Sequence, residues 1–206
     1  MQIKTLAVGQ LSTNCYLTWN EENDECVIID PGGEGDYISE EILKEKLRPI
    51  AIVLTHGHFD HMLAVIDLKL NFGLKVWMNK KDEFLYKQAG KSAKYWTGEK
   101  PGPIAEVDHD LKEGGLSLGG MVFRILETPG HTPGSISLYV PDEGIAFTGD
   151  TLFKEDVGRT DFRYADDEEL WKSIKQRLFK LPEETKVYSG HGEETTIGQE
   201  KEAWKG

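Results

Sequence analysis

Ile50-Ala51-Ile52-Val53-Leu54-Thr55-His56-Gly57-His58-Phe59-Asp60-His61 decides the reading of this chain. Five apolar residues form a buried strand. Three histidines and an aspartate then follow within six positions. A strand that ends in such a cluster aims several metal-ligand side chains at one point on the rim of a sheet, where open α/β folds place their ligand sites. Chance does not produce it readily. With 6 His and 14 Asp in 206 residues, random placement gives His-x-His-x-Asp-His in roughly 3 of 10,000 such chains.

Three further strand ends carry the same kind of residue. Glu127-Thr128-Pro129-Gly130-His131-Thr132-Pro133-Gly134 puts a histidine in a Gly/Pro loop. Ile145-Ala146-Phe147-Thr148-Gly149-Asp150 ends in an aspartate. Val187-Tyr188-Ser189-Gly190-His191-Gly192 ends in another histidine. Imidazole nitrogens and carboxylate oxygens without thiolates suit zinc, iron or manganese. His56, His58, Asp60, His61, His131, Asp150 and His191 are too many donors for one closed tetrahedral site. They suit two neighbouring divalent ions with a shared carboxylate, and Asp150 is the natural bridge. His109 lies in a polar stretch with no partner motif and is expected at the surface. Thr55, Thr148 and Asp30 flank the cluster as supporting or turn residues.

Strand-like runs cover residues 3–8, 15–19, 26–30, 50–54, 75–78, 116–118, 121–127, 135–140, 145–148 and 186–189. Helical periodicity covers 39–47, 62–72, 165–179 and 199–204. Residues 91–103 read as an irregular loop or lid. Strands alternate with helices in both halves, which fits two mixed sheets with helices outside as well as a doubly wound sheet. No linker divides residues 1–206, so one domain is expected. Net charge is −12, which argues against nucleic acid as a general partner. No apolar run approaches the ~20 residues of a membrane span. Residues 1–6 do not resemble a signal peptide, so a cytoplasmic location is expected. Cys15 and Cys26 make no disulfide framework and are expected as reduced thiols. Lys75, Lys80, Lys81, Lys87, Lys91, Lys94 and Lys100 outnumber Asp82, Glu83 and Glu99 between residues 75 and 100. They form either a solvated surface or a basic lip for an anionic substrate.

Taken together, His-x-His-x-Asp-His, Gly-His131-Thr-Pro-Gly, Thr-Gly-Asp150 and Ser-Gly-His191-Gly resemble the metallo-β-lactamase superfamily over essentially the whole chain. Gly149-Asp150-Thr151-Leu152-Phe153 and Val157-Gly158-Arg159-Thr160-Asp161 look like its glyoxalase II-like branch, the hydroxyacylglutathione hydrolases, in its short form. The resemblance implies an αββα sandwich of two mixed β-sheets flanked by helices. It implies that His56, His58 and His131 hold one metal, that Asp60, His61 and His191 hold a second, and that Asp150 bridges them. Zinc is the expected metal, with iron or manganese as alternatives. The implied activity is hydrolysis of a small anionic thioester by water acidified on the metals, with Asp60 orienting that water. Arg159 and Tyr95 are candidate substrate contacts.

Gly158-Arg159-Thr160-Asp161-Phe162 also looks like the persulfide dioxygenases, which use one iron and oxygen. Ester or lactone hydrolysis, a diiron redox module and a non-enzymatic metal protein are further alternatives. A β-lactamase is expected in an exported chain, and a superfamily nuclease is expected to carry an inserted domain and a basic surface.

Overall fold

The computed structural model describes residues 1–98 and 100–205. Glu99, counted above among the acids of the lysine-rich segment, lies outside the described residues. Six strands form the first sheet in sequential order: β1 (Gln2–Val8), β2 (Thr13–Trp19), β3 (Glu25–Ile29), β4 (Arg48–Val53), β5 (Lys75–Met78) and β6 (His109–Asp110). The first three pair antiparallel and the next three pairings are parallel. The second sheet contains β7 (Gly114–Leu118), β8 (Met121–Glu127), β9 (Ile136–Val140) and β10 (Ile145–Gly149). After a separate hairpin of β11 (Leu152–Phe153) and β12 (Asp156–Val157), it is completed by β13 (Lys186–Ser189) and β14 (Thr195–Thr196). Its order is β14-β13-β10-β9-β8-β7, mixed because β10 and β13 run parallel.

Among the described residues six α-helices accompany the sheets: α1 (Gly35–Lys44), α2 (Val65–Phe72), α3 (Glu83–Tyr86), α4 (Ala89–Trp96), α5 (Asp167–Gln176) and α6 (Ile197–Ala203). The two sheets pack face to face through Tyr16, Val27, Ile29, Val53, Phe123, Ile125, Leu138 and Phe147. The outer face of the first sheet meets α1 and α2 through Cys26, Ile28, Ile52, Ile38, Ile42 and Leu68. The outer face of the second meets α5 and α6 through Ala146, Val187, Leu170, Ile174 and Ile197.

The reason is legible in β3 and β4. Side chains alternate between faces along a strand, so Cys26 and Ile28 enter one core and Val27 and Ile29 the other. A strand covered on both faces reads as a continuous apolar run rather than an alternating one. The αββα sandwich expected from the sequence is therefore the observed architecture. Both cysteines are free and buried. No described helix is long and apolar enough to cross a membrane.

Two helix starts differ from those that apolar periodicity marks. Helix α1 begins at Gly35, ahead of the expected residue 39. Thr196 starts α6 by accepting the Gln199 N–H through its side chain, a standard N-terminal cap. Segment 91–103 opens with the last two turns of α4 instead of irregular chain, and His109 lies on the edge strand β6. His109 is exposed, as expected, with its ring stacked on Trp77 at 4.0 Å.

Candidate metal centre

Strands β3, β4, β8, β10 and β13 all end at one rim of the sandwich, and the donor residues lie in the turns that follow them. The turn after β4 is pinned between the sheets, because Thr55 C=O accepts the Ile136 N–H at 2.9 Å. The turn after β13 is sewn to β2: Asn14 N–H donates to Gly190 C=O at 2.8 Å, and its side-chain amide donates to Ser189 C=O and Gly192 C=O. Gly190 is needed here, since a Cβ would lie 2.1 Å from Asp150 Oδ1 and 2.7 Å from His61 Cε1.

All seven expected donors converge. The ligand atoms of His56, His58, His131 and Asp150 lie within 4.8 Å of one another, as do those of Asp60, His61 and His191. His56 Nε2 and His131 Nε2 approach His58 Nδ1 at 3.0 and 2.9 Å. Two nitrogens sharing one tetrahedral zinc would be ~3.3 Å apart, from a metal–nitrogen distance of ~2.05 Å. In the second cluster His191 Nε2 lies 3.4 Å and His61 Nε2 3.7 Å from Asp60 Oδ2. Asp150 reaches both clusters, with Oδ2 at 3.6 Å from His131 Nε2 and 3.7 Å from His191 Nε2.

Each imidazole is also held from behind. His131 Nδ1 meets Arg159 C=O at 2.8 Å and His191 Nδ1 meets Leu11 C=O at 3.1 Å. His61 Nδ1 meets Asp30 Oδ2 at 3.0 Å. These partners only accept, so each of the three rings donates from Nδ1 and turns Nε2 to the cluster. His56 Nδ1 meets Thr55 Oγ1 at 3.0 Å, and that hydroxyl donates onward to Asp30 Oδ2 at 2.6 Å. His58 Nε2 meets the Tyr164 hydroxyl at 2.7 Å. Asp30 thus supports two rings at once, from a backbone at φ +50°. Non-glycine residues occupy that region at a cost of ~1–3 kcal/mol, and such strain concentrates at functional sites.

The electrostatics call for a cation. Burial drives His56 well below its ordinary value and, together with His131, drives His58 down to about 3. Both are then neutral, the form that ligates. Burial pushes His61 the same way, but Asp150, Asp60 and Asp30 overcome it and raise the ring well above its usual value. Three carboxylates therefore draw positive charge to the second cluster. His61 Nε2 and Asp150 Oδ1 are buried and make no hydrogen bond among the described residues, although they lie 3.2 Å apart. Buried polar atoms are seldom left so, and a cation between the clusters completes both. The donor set fits divalent metal.

A cavity of about 780 Å³ opens over these side chains. Arg159 borders it, but its guanidinium is already engaged by Asp161 at 3.0 and 2.7 Å. Tyr95 does not border it. Residues 88–96 wind helically, so Ala89 and Ala93 face the core, Gln88, Ser92 and Trp96 face the cavity, and Tyr95 is 80% exposed on the outer side. Trp96, one residue on, takes the place expected of Tyr95. None of the seven lysines between residues 75 and 100 borders the cavity. Lys75, Lys81 and Lys87 pair with Asp108, Glu127 and Glu83. These lysines are a solvated surface and not a lip. Thr148 donates to Leu152 C=O and holds a turn, whereas Thr55 and Asp30 touch the donor rings.

Asp82 was not singled out by the sequence. It is fully buried and accepts from Gly57 N–H, Gly134 N–H and the Thr132 hydroxyl at 2.9, 2.7 and 2.6 Å. It thereby joins the loop of His56 and His58 to the loop of His131. The signal was an acid four residues beyond the end of β5, a further strand end on the same rim.

An αββα sandwich with two histidine-aspartate clusters at its rim defines a metal-binding architecture. The chain belongs to the metallo-beta-lactamase superfamily, whose family model matches residues 8–191. It is 39% identical to the hydroxyacylglutathione hydrolase GloC of Haemophilus influenzae, over 98% of this chain and 95% of that one. Among solved structures it superposes on BLEG-1 B3 metallo-beta-lactamase with a TM-score of 0.91 at 39% identity, covering 98% of this chain and 97% of that chain. It also superposes on TTHA1623 in a di-iron-bound form with a TM-score of 0.89 at 40% identity, covering 97% and 98%.

Proposed function

We propose that this protein is a metal-dependent thioesterase of the hydroxyacylglutathione hydrolase type. The observation that carries the proposal is the pair of donor clusters sharing Asp150 at the floor of one open cavity. The likeness to GloC over nearly the full length of both chains supports the thioester class. His56, His58 and His131 would hold one ion, Asp60, His61 and His191 the other, and Asp150 both. Zinc suits this nitrogen and oxygen set, and iron is the alternative that the di-iron relative supports. When bound, the ions supply a water acidified to near-neutral pH and Lewis acidity for the acyl oxygen.

The chain's own residues do the rest. Asp60 borders the cavity and is held below the ordinary carboxylate range: burial opposes its charge, but His61 and His191 outweigh burial. It remains a carboxylate and accepts a hydrogen bond from the attacking water, fixing the direction of attack. The acyl C–O bond forms, the C–S bond breaks, and the sulfur leaves with the electron pair. A thiol of pKa about 8.5 departs as thiolate near neutral pH, so the cavity needs no dedicated proton donor. The water's proton passes to solvent.

Metal content by elemental analysis, combined with a panel of S-lactoylglutathione, a simple ester, a lactone, a β-lactam and glutathione persulfide, tests the proposal. Two ions per chain with thioester turnover are expected. One iron with oxygen uptake on the persulfide overturns it. So does β-lactam turnover without thioester turnover, the outcome that the likeness to BLEG-1 puts in play. His58→Ala and Asp150→Ala should each lose metal and turnover together.

A further inference from the structure

The walls of the cavity carry aromatic rings beyond the donor residues, and of these Tyr164 also holds the His58 imidazole through its hydroxyl. Phe162 stands 5.4 Å from the His58 ring and 6.0 Å from the His131 ring. It stacks on Tyr164 at 5.5 Å with 11° between planes, and Phe84 meets Tyr164 edge-on at 5.7 Å. Trp96 continues this wall from α4. Phe153, beside the His191 ring at 6.3 Å, and Leu11 also border the cavity. Trp96 is 56%, Leu11 48% and Phe84 41% exposed. Large apolar side chains left open around one cavity mark a binding surface rather than ordinary surface composition.

Charge on the walls is balanced. The cations bordering the cavity are Lys154 and Arg159, and each already has a carboxylate, Glu193 and Asp161 respectively. Beyond the metal cluster, the acids at the border are Asp156 and Glu193. The walls hold no surplus of positive charge to attract an anionic acyl group, and they offer several aromatic faces beside the reacting centre.

We propose that Phe162, Tyr164, Phe84 and Trp96 form an acyl-binding wall that selects thioesters with a large apolar acyl group over short hydroxyacyl ones. The proposal rests on the thioesterase reading and narrows its substrate class. Aromatic stacking and removal of apolar area from water supply the selectivity.

The test holds the thiol constant and varies the acyl group. The metal-loaded protein is assayed for kcat/KM on S-phenylacetylglutathione and S-lactoylglutathione. The phenylacetyl thioester should be favoured by ~10-fold or more, the scale on which an apolar pocket separates substrates that fill it from those that do not. Trp96→Ala and Phe162→Leu should each pull that ratio toward one. Trp96 lies on an exposed helix face, so its truncation leaves the core intact, and circular dichroism and metal content check this. Preference for the lactoyl thioester, or a ratio that neither substitution moves, overturns the acyl wall while leaving the thioesterase intact. Turnover of neither thioester by the metal-loaded protein refutes the thioesterase reading and the acyl wall with it.

Discussion

Asp82→Ala should damage the site without touching a single donor atom. The native carboxylate takes three hydrogen bonds, two from backbone N–H groups and one from a hydroxyl, and is completely buried. Alanine leaves all three donors without their acceptor. Each stranded buried donor costs ~1–3 kcal/mol. The Thr132 hydroxyl is spared part of this because Ser135 Oγ lies 2.7 Å away. The total is then about 3–5 kcal/mol. For 206 residues, each kcal/mol lowers the melting temperature by ~2–4 °C, so the drop should be roughly 6–20 °C.

Asp82→Asn separates hydrogen bonding from charge. An amide oxygen in the Oδ2 position keeps the bonds from Gly57 and Thr132. Its NH₂ then confronts the Gly134 N–H. Burial also pushes the native carboxyl above its ordinary range, so the neutral amide escapes a desolvation cost that the carboxylate bears. The asparagine variant should therefore lie between wild type and alanine, at ~1–2 kcal/mol of loss. Thermal melts followed by circular dichroism in a chelator give the stability, and equilibrium dialysis against zinc gives metal affinity. Affinity should fall in the same order, because Asp82 ties together the loops of His56, His58 and His131. An alanine variant that melts within 2 °C of wild type and holds metal equally would refute the reasoning.

Other perturbations test the frame around the clusters. Gly190→Ala places a methyl 2.1 Å from Asp150 Oδ1, which should cost ~1–3 kcal/mol and abolish metal binding. Unchanged metal content would show that Asp150 can move aside freely. Chelation of the metal-loaded protein should abolish turnover and lower the melting temperature, because ligands that bind only the folded state stabilise it. Zinc or iron should restore both. Asp108 accepts from Lys69, the Val76 N–H and Lys75, and although burial opposes its charge, these partners hold it well below the ordinary carboxylate range. A depressed carboxylate contributes stability that is present above its unfolded value near 3.9 and is lost as pH falls below it. Asp108→Asn should lower stability at pH 7 and flatten its decline between pH 4 and pH 2. An unaltered pH profile by denaturant unfolding would count against that pairing.

Much of the architecture and the donor set is legible one strand at a time. An apolar run such as residues 50–54 announces a doubly covered strand, and the residue types just past its end announce what the rim carries. This works because strand ends and turn chemistry are local, and because five histidines at such positions are hard to place otherwise. Tyr95 and the lysine segment mark where local reasoning stops. Which of two adjacent aromatics faces the cavity depends on the exact phase of α4. Which lysines are neutralised depends on Asp108, Glu127 and Glu83, and the first two lie far away in the chain.

The sequence determined the strand-end placement and the identity of the seven candidate donors, and the family its motifs resemble pointed to the sandwich that strand and helix order left open against a doubly wound sheet. Only the tertiary structure decided how the rings are aimed, which loops Asp82 ties and which aromatics wall the cavity. The rear partners of His131 and His191 are backbone carbonyls of Arg159 and Leu11. Every residue has a carbonyl, so no side-chain pattern can mark the two that do this. Long-range contacts between generic groups leave no trace in residue type, and they become visible only when the chain has folded.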